Sequence, residues 1–585
     1  MYILGISCYY HDSSAALLKN GIVVAAAQEE RFTRKKHDTS FPINAIKYCI
    51  KSQNITIDDI KYIGFYEKPL LKFERVLYQH LEMFPRSFKT FLSSTPSWIN
   101  EKLRVIKPIK KKLKYKGDVL FIDHHLAHAS SFLASPFNEA AILTIDGVGE
   151  WTTTTYGYGK GNDIELIKEI KFPHSIGLLY STITAYLGFS VNNSEYKVMG
   201  LSPYGNMDKN TNEYYKKLKQ VIDIKEDGSF RFDMSYFVFH YADRMPSKKL
   251  CKLLDGPVRK PETEVTQRHK DIAAALQLIT EEALIKILNH VYTTTKCSNI
   301  VFGGGVALNS VFNGKILRNT PFKNIWAQPD PGDGGTSIGA ASYIYHALLE
   351  NKRVYVLRNA YLGPKFSAQE IKSFLNRNGI KYSEFDSDKD IIKNTAKLIY
   401  NNYVVGWFQL GMEWGPRALG ARSILSNPCN PKMQEILNLK VKHREKFRPF
   451  APVVCEDDAL KYFECDIPIP EPTGFMLMVY PIKKEFHNKI PAVTHVDGSG
   501  RLQTIRRTQN YLYYDLIKEF GKLSGIPILI NTSFNIRGEP IVCTPYDAYK
   551  CMMGTGIDYL IIDKFLIKRE ENKKDIWDSE KYAKD

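Results

Sequence analysis

No run of about 18 apolar residues occurs in the chain, so no membrane-spanning helix is expected and no membrane partner is assigned. None of the nine cysteines (Cys8, Cys49, Cys251, Cys297, Cys429, Cys455, Cys465, Cys543, Cys551) forms a Cys-x-x-Cys pair. That excludes zinc ribbons, argues against a disulfide framework and points to a reducing compartment, the cytoplasm. The opening MYILGISCYY lacks a basic leader and a small-residue cleavage site, and it reads as a first strand rather than a secretion signal. Short internal repeats and low-complexity tracts are missing too, which excludes a solenoid. An acidic balance is also lacking: 80 Lys and Arg face 63 Asp and Glu, a formal charge of +17. Such a charge can serve nucleic acid, but no RRM, zinc-finger or helix-turn-helix signature accompanies it. Much of the excess sits in stretches such as Lys107–Lys116 and Lys568–Lys574, which read as solvated lysines, so nucleic acid is not the expected partner.

What is present belongs to a large α/β enzyme. A chain of 585 residues exceeds one core and predicts two large domains. Residues 2–7 and 21–27 read as strands joined through a polar turn at Tyr10–Ser14, and residues 42–54 as a helix. Strands follow at 119–123 and 140–146, then an irregular insertion at 206–270, a long helix at 271–294 and a strand at 299–302. The segment 345–365 reads as a connection. Further strands are expected near 404–408, 451–455 and 527–530.

His124-His125-Leu126-Ala127-His128 follows a predicted strand directly. On a helix, His124 and His128 share one face and can grip one metal ion, while His125 points elsewhere. Two imidazoles plus carboxylates suit iron(II), manganese or zinc, and the pattern does not choose among them. Asp146-Gly147-Val148-Gly149, Gly303-Gly304-Gly305 and Asp333-Gly334-Gly335 add acids and close-approach backbone, a setting for phosphate. Later, Arg417, Arg422, Lys442, Arg444 and Arg448 lie among Trp414, Pro416, Phe447, Pro449 and Phe450. Cations amid apolar residues need anionic partners, and planar guanidinium forks suit phosphates. Asn531-Thr532-Ser533-Phe534-Asn535 offers amides and hydroxyls at a strand end.

In order along nearly the whole chain, GISCYYHDSSAALL, EERFTRKKHD, HHLAHA, IDGVGEW, SIGLLYSTITAYLGF, KVMGLSPYG, GGGVALN, PDPGDGG, GMEWGPRALGARSIL, KHREKFRPFAPVV and ILINTSFNIRGEPIV resemble the O-carbamoyltransferases of the NodU/CmcH/TobZ family. Tyr196, before Lys197, departs from the glycine of that pattern. The resemblance implies an α/β protein with a two-lobed actin-like or sugar-kinase-like domain at 1–354, similar to the threonylcarbamoyl transferases, and a YrdC-like α/β domain at 355–585. It places metal ligands at His124, His128, Asp333 and Asp146, with iron(II) expected and manganese or zinc as alternatives. It places nucleotide or carbamoyl-adenylate contacts at Asp146, Gly147, Gly177, Ser181, Gly305 and Asn309, a base at His11 and an acceptor contact at Lys36. In the second domain it implicates Arg417, Arg422, Lys442, Arg444, Arg448, Arg501, Ser533 and Asn535 in binding ATP with magnesium and carbamoyl phosphate. The implied activity is ATP-dependent O-carbamoylation through carbamoyl-adenylate, of a hydroxylated metabolite or glycan. For a chain of this size a homodimer is the expected assembly. A threonylcarbamoyladenosine-type tRNA enzyme is the alternative. HypF-like hydrogenase maturation is disfavoured, because the zinc-finger Cys pairs are missing.

Overall fold

The computed structural model describes residues 1–445 and 447–572; the end of the basic Lys568–Lys574 stretch lies outside the described residues. The chain divides into two compact units, Met1–Ala25 with Thr39–Val356, and Ala26–Asp38 with Leu357–Asp585. The sequence reading assigns residues 26–38 to the first domain; in the structure they group with the second unit.

The first unit holds two five-stranded sheets of identical plan. In one, β1 (Tyr2–Ser7), β2 (Ser14–Lys19), β3 (Ile22–Gln28), β4 (Ile60–Phe65) and β5 (Asp118–Phe121) lie in the order β3-β2-β1-β4-β5. β1 runs antiparallel to β2 and parallel to β4. After β6 (Glu139–Ile145), β7 (Thr152–Lys160) and β8 (Asp163–Lys171) come a small hairpin, β9 (Ile222–Ile224) with β10 (Phe230–Phe232), and then β11 (Asn299–Gly303) and β12 (Asn324–Trp326). The second sheet runs β12-β11-β6-β7-β8, which repeats the first order with β6 standing for β1. β6 is antiparallel to β7 and parallel to β11, as the repeat requires. This duplicated topology is that of the two-lobed actin-like fold.

β2 is one of the strands that the sequence reading does not assign, with β4, β8 and β12 among the others. Its run SAALLK is short and apolar, so it merged with the preceding turn. The predicted insertion at 206–270 contains the β9–β10 hairpin and the short helices Glu213–Leu218 and Lys248–Leu253, and the following helix spans Gln267–Thr295. The helix Thr336–Ser342 is buried throughout and rests on β1, where a Cβ at Gly5 would stand 1.8 Å from the Ser337 carbonyl oxygen. Near the end of the first unit lies Arg353, whose guanidinium donates to the carbonyls of Phe132, Leu133, Ser135, Phe137 and Gly161.

The second unit is built on one nine-stranded mixed sheet. Its strands are β13 (Ser383–Glu384), β14 (Val405–Phe408), β15 (Arg422–Ser426), β16 (Ala451–Cys455), β17 (Met478–Pro481), β18 (Ser499–Ile505), β19 (Ile528–Ser533), β20 (Tyr559–Ile562) and β21 (Phe565–Lys568). They lie in the order β13-β21-β20-β14-β15-β19-β16-β18-β17. Helices Asp388–Tyr400 and Tyr511–Ser524 cover one face through Ile391, Ile399, Leu516 and Phe520. Apolar residues at helical spacing there meet Trp407, Leu425 and Leu529 from the strands.

Candidate active site

In the first unit, β5 ends just before the six-residue helix His124–Ala129. Glu150 sits at its start, and both Glu150 oxygens accept from the His124 backbone N–H, at 3.1 and 3.2 Å. The helix turns His124 and His128 to one side, with their Nε2 atoms 3.2 Å apart. His125 points away, as expected: its Nδ1 meets Thr144 Oγ1 at 2.6 Å and its Nε2 the Thr152 carbonyl at 2.9 Å. Burial holds the His125 pKa well below the ordinary histidine value, so this ring is a neutral structural strut.

Asp146 follows β6. Its Oδ2 lies 2.9 Å from His124 Nε2 and 3.4 Å from His128 Nε2, and its Oδ1 accepts from the Gly305 N–H at 3.1 Å. Gly304 makes that approach possible: with φ +88°, a Cβ there would fall 2.2 Å from the Ile145 carbonyl oxygen. Gly177 does the same from the other side, since its Cβ would meet the Asp146 carbonyl oxygen at 2.7 Å. Asp333 completes the group, with Oδ1 3.8 Å from His124 Nε2 and 3.6 Å from His128 Nε2. One ligand atom from each of these four residues falls within 4.8 Å of the others.

Asp333 is 1 % exposed, and neither of its carboxylate oxygens has a hydrogen-bond partner. A buried carboxylate without donors is costly, and two imidazole nitrogens turned toward it and toward each other form a donor set for a divalent ion. His128 shows the strain of the arrangement: burial lowers its pKa, yet Asp146 and Asp333 raise it to about 9. Asp146 lies well below the carboxylate range because the two histidines outweigh its burial.

The duplication explains where these residues come from. His11 stands in the β1–β2 loop and Asp146 in the matching β6–β7 loop. His124 and His128 follow β5, whereas Asp333 follows the matching β12. Each repeat therefore contributes through the same two loops.

His11 Nδ1 lies 2.9 Å from Asp12 Oδ2, and its Nε2 is 3.7 Å from Asp333 Oδ2. Burial lowers its pKa, but Asp333, Asp12 and Asp146 push it up to about 10. Beside it, the Tyr10 ring lies under Lys72, which pairs with Glu67 at 2.5 Å. Neither Lys72 nor Glu67 nor Glu150 was singled out by sequence; only IDGVGEW, which contains Glu150, gave a signal.

The expected nucleotide contacts sit around the same hairpin. Ser175 Oγ caps the helix Ile176–Tyr186 and donates to the Asp146 and Gly147 carbonyls, fixing Gly177 against them. Ser181 donates to Glu195, and Asn309 pairs with Gln277 while its Oδ1 caps the helix Ser310–Asn313. Tyr196 lies inside the helix Glu195–Leu201, a conformation that asks nothing special of glycine.

In the second unit, Lys442 is buried and donates to the carbonyl and hydroxyl of Ser533 and, at 2.9 Å, to the carbonyl and Oδ1 of Asn535. Its amine lies well below the usual lysine range, through burial first and then the charges of Arg444, Arg448 and Lys36. Arg444 is steadied by Asn438 Oδ1 at 2.7 Å and the Phe450 ring. Arg448 lies 3.5 Å from Glu445. Arg417 is half-buried in the loop before β15, and Arg501 is half-buried on β18.

Two placements differ from expectation. Arg422 is wholly buried: its guanidinium donates to the carbonyls of Gln409 at 2.6 Å and Pro364 at 2.9 Å and lies 3.5 Å from the Phe408 ring centre. It holds up the loop, whose backbone N–H groups at Leu419, Ala421 and Arg422 all donate to Glu413 Oε1. Lys36, expected on the acceptor side of the first domain, belongs to the segment that groups with the second unit and acts on Lys442. Arg31 and Arg34 stitch that segment down, to the Gly415 carbonyl and to those of Pro540 and Ile541.

Comparison with known proteins adds two family matches: carbamoyltransferase N-terminus over residues 2–342, and carbamoyltransferase C-terminus over residues 396–569. An uncharacterized protein of Synechocystis is 45 % identical, with 99 % of each chain covered. Nodulation protein NolNO of Sinorhizobium fredii is 34 % identical over 97 % of this chain and 80 % of its own length. Among solved structures, component A of the Acidaminococcus fermentans (R)-2-hydroxyglutaryl-CoA dehydratase matches with a TM-score of 0.31 and 12 % identity, over 60 % of this chain and 99 % of its own.

Proposed function

Because the chain belongs to the carbamoyltransferase family, we propose that it is an ATP-dependent O-carbamoyltransferase that activates carbamoyl phosphate in its second unit and carbamoylates a hydroxyl of a sugar or other metabolite in its first. The observation that carries this reading is the convergence of His124, His128, Asp146 and Asp333 in a buried group whose Asp333 oxygens lack donors. These residues would hold iron(II), with manganese or zinc as alternatives. Such an ion supplies Lewis acidity toward a phosphate leaving group.

In the second unit, water converts carbamoyl phosphate to carbamate and phosphate. A carbamate oxygen then attacks the α-phosphorus of magnesium-ATP, giving carbamoyl-adenylate and pyrophosphate. Lys442, Arg444, Arg448, Arg417 and Arg501 neutralise the charge that grows on the departing oxygens, while Ser533 and Asn535 position the substrate. Lys36 adds its charge to the same field. The burial that depresses Lys442, and the like charges of Arg444, Arg448 and Lys36 that add to it, support this role, because an anion offsets both.

In the first unit, the loops around Gly147, Gly177, Ser181, Gly305 and Asn309 receive the nucleotide. His11 takes the proton of the acceptor hydroxyl, whose oxygen attacks the carbamoyl carbon as AMP leaves. Asp333 and Asp146, two of the three carboxylates that raise the His11 pKa, are ones a cation would neutralise, which would bring His11 closer to the lone pair that a base needs.

The test is to assay the two steps apart. His124→Ala and His128→Ala should abolish acceptor carbamoylation and spare pyrophosphate release, whereas Lys442→Ala and Arg448→Ala should stop pyrophosphate release. A folded His124 variant that loses both steps alike would refute the division of labour.

A further inference from the structure

The helix Pro69–Glu82 is amphipathic in the inverted sense. Its cations Lys72 and Arg75 are buried, as is His80, whereas Leu70, Leu77, Tyr78 and Leu81 are 74, 36, 59 and 67 % exposed, with Glu74 and Glu82 exposed beside them. Those four fall on one stripe at i, i+7, i+8 and i+11. Inside, Lys72 meets Glu67 and the Tyr10 ring, and the Arg75 guanidinium lies over the Phe172 ring. Apart from the Tyr78 ring, which meets Trp151 edge-on at 5.8 Å, the stripe faces outward. It continues past the turn through Phe84 and into the helix Phe88–Asn100 through Phe88, Leu92 and Ile99, each at least 45 % exposed. Ring contacts hold the pieces together: Phe73 packs on Trp98, Phe84 on Phe88, and Lys102 lies 4.8 Å from the Trp98 ring. An exposed apolar surface of this extent marks an interaction site.

Its charge selects the occupant. Residues 68–116 carry thirteen Lys and Arg against three Glu, a net +10 of the chain's +17. The helix Ile106–Leu113 exposes Ile106 together with Lys107, Lys110, Lys111 and Lys112, and Lys114 and Lys116 follow it, also exposed. A second copy of this chain would bring the same positive charge against it. Leucine and aromatic side chains edged by lysines fit the headgroup boundary of an anionic bilayer.

We propose that the outward face of the helices Pro69–Glu82, Phe88–Asn100 and Ile106–Leu113 docks on an anionic membrane surface. This is surface attachment: no helix of the described residues is long and apolar enough to cross a membrane. The proposal is independent of the carbamoyl chemistry. It sets the His11 side of the first unit near the bilayer, since the inner face of the docking helix touches Tyr10, and a helix is only about 10–12 Å across.

Flotation of the full chain with vesicles tests it. The protein should bind vesicles of phosphatidylcholine with one-third phosphatidylglycerol at least ~10-fold better than phosphatidylcholine alone, and release in high salt. The triple variant Leu70→Ser, Leu81→Ser, Phe84→Ser should lose ~10-fold through the apolar contribution, and Lys110→Glu, Lys111→Glu, Lys112→Glu a similar factor through charge. Circular dichroism and pyrophosphate release confirm that each variant is folded. Equal binding to both vesicles, or none, overturns the proposal. So does a loss confined to the charge variant, which would mark a polyanion site. A dimer in sedimentation velocity that the leucine variant dissolves would assign the face to a second copy and overturn it too.

Discussion

Replacing Gly304 with alanine tests whether backbone at one point governs the four-residue cluster. The residue has φ +88° and ψ 164°, a region that side chains avoid at a cost of about 1–3 kcal/mol. Its new Cβ would also stand 2.2 Å from the Ile145 carbonyl oxygen, 1.2 Å inside the 3.4 Å limit of ordinary contact. Ile145 precedes Asp146, so relief moves the aspartate and stretches the 3.1 Å bond from Gly305 N–H. A hydrogen bond to a charged group is worth about 1.5–3 kcal/mol. The expected loss is about 3–6 kcal/mol, which for a unit of this size lowers its melting temperature by roughly 4–8 °C. Gly161→Ala is the control. Its φ is +59°, but nothing lies within 4 Å of its Cβ, so left-handed strain of about 1–2 kcal/mol is all it should cost. Metal content by elemental analysis, acceptor carbamoylation and calorimetry should separate the two: Gly304→Ala loses metal and transfer but keeps pyrophosphate release, and Gly161→Ala keeps all three. If the two variants lose the same stability and both retain metal, the reasoning from the glycine approach is wrong.

Three further outcomes are expected. Arg422→Ala should cost about 3–5 kcal/mol in thermal unfolding, because buried carbonyls lose a charged donor, and lysine should not rescue it; Arg448→Ala should leave melting nearly unchanged while stopping pyrophosphate release. The Lys442 pKa is depressed by burial and neighbouring cations, and a bound dianion favours its ammonium form. Calorimetric titration of the second-unit ligand in buffers of different ionisation enthalpy should therefore show proton uptake, and affinity should fall as pH rises through the window between the depressed and ligand-raised values; Lys442→Ala should show no uptake from this group. Chelation should end acceptor carbamoylation, spare pyrophosphate release in assays resupplied with magnesium, and lower the first unit's stability, by about 2.7 kcal/mol if the ion had been present at a hundred times its dissociation constant.

The strongly periodic features could be read from the sequence. His124 and His128 sit one helical turn apart after a strand end, and that local pattern suffices to pair them. Asp333 reached the cluster only through the resemblance, because it lies 205 residues beyond His128 and nothing local aims it there. Arg422 misled the reading for a physical reason. Cations among aromatic and apolar residues do need oxygen partners, but the chain supplies carbonyls of its own to this one; Lys442 is given chain oxygens too, yet it alone lies among Arg444, Arg448 and Lys36 in a field of like charge. The helix Pro69–Glu82 was illegible because apolar periodicity gives a stripe without saying which way it faces, and here the cations face inward. Residues 26–38 give no local hint that Arg31 and Arg34 will reach carbonyls hundreds of positions away.

Two copies of one folding plan meet at His11, His124, His128, Asp146 and Asp333, yet they arrive with opposite chemistry: bases from one half, acids from the other. A symmetric cradle has become a handed one. An ion seated there would act as a rivet through the seam, so hinge motion of the two halves and occupancy of the centre become a single variable. Any swing that parts the halves must first pull the rivet, and slow amide exchange along β1 and β6 would then record how firmly it is driven.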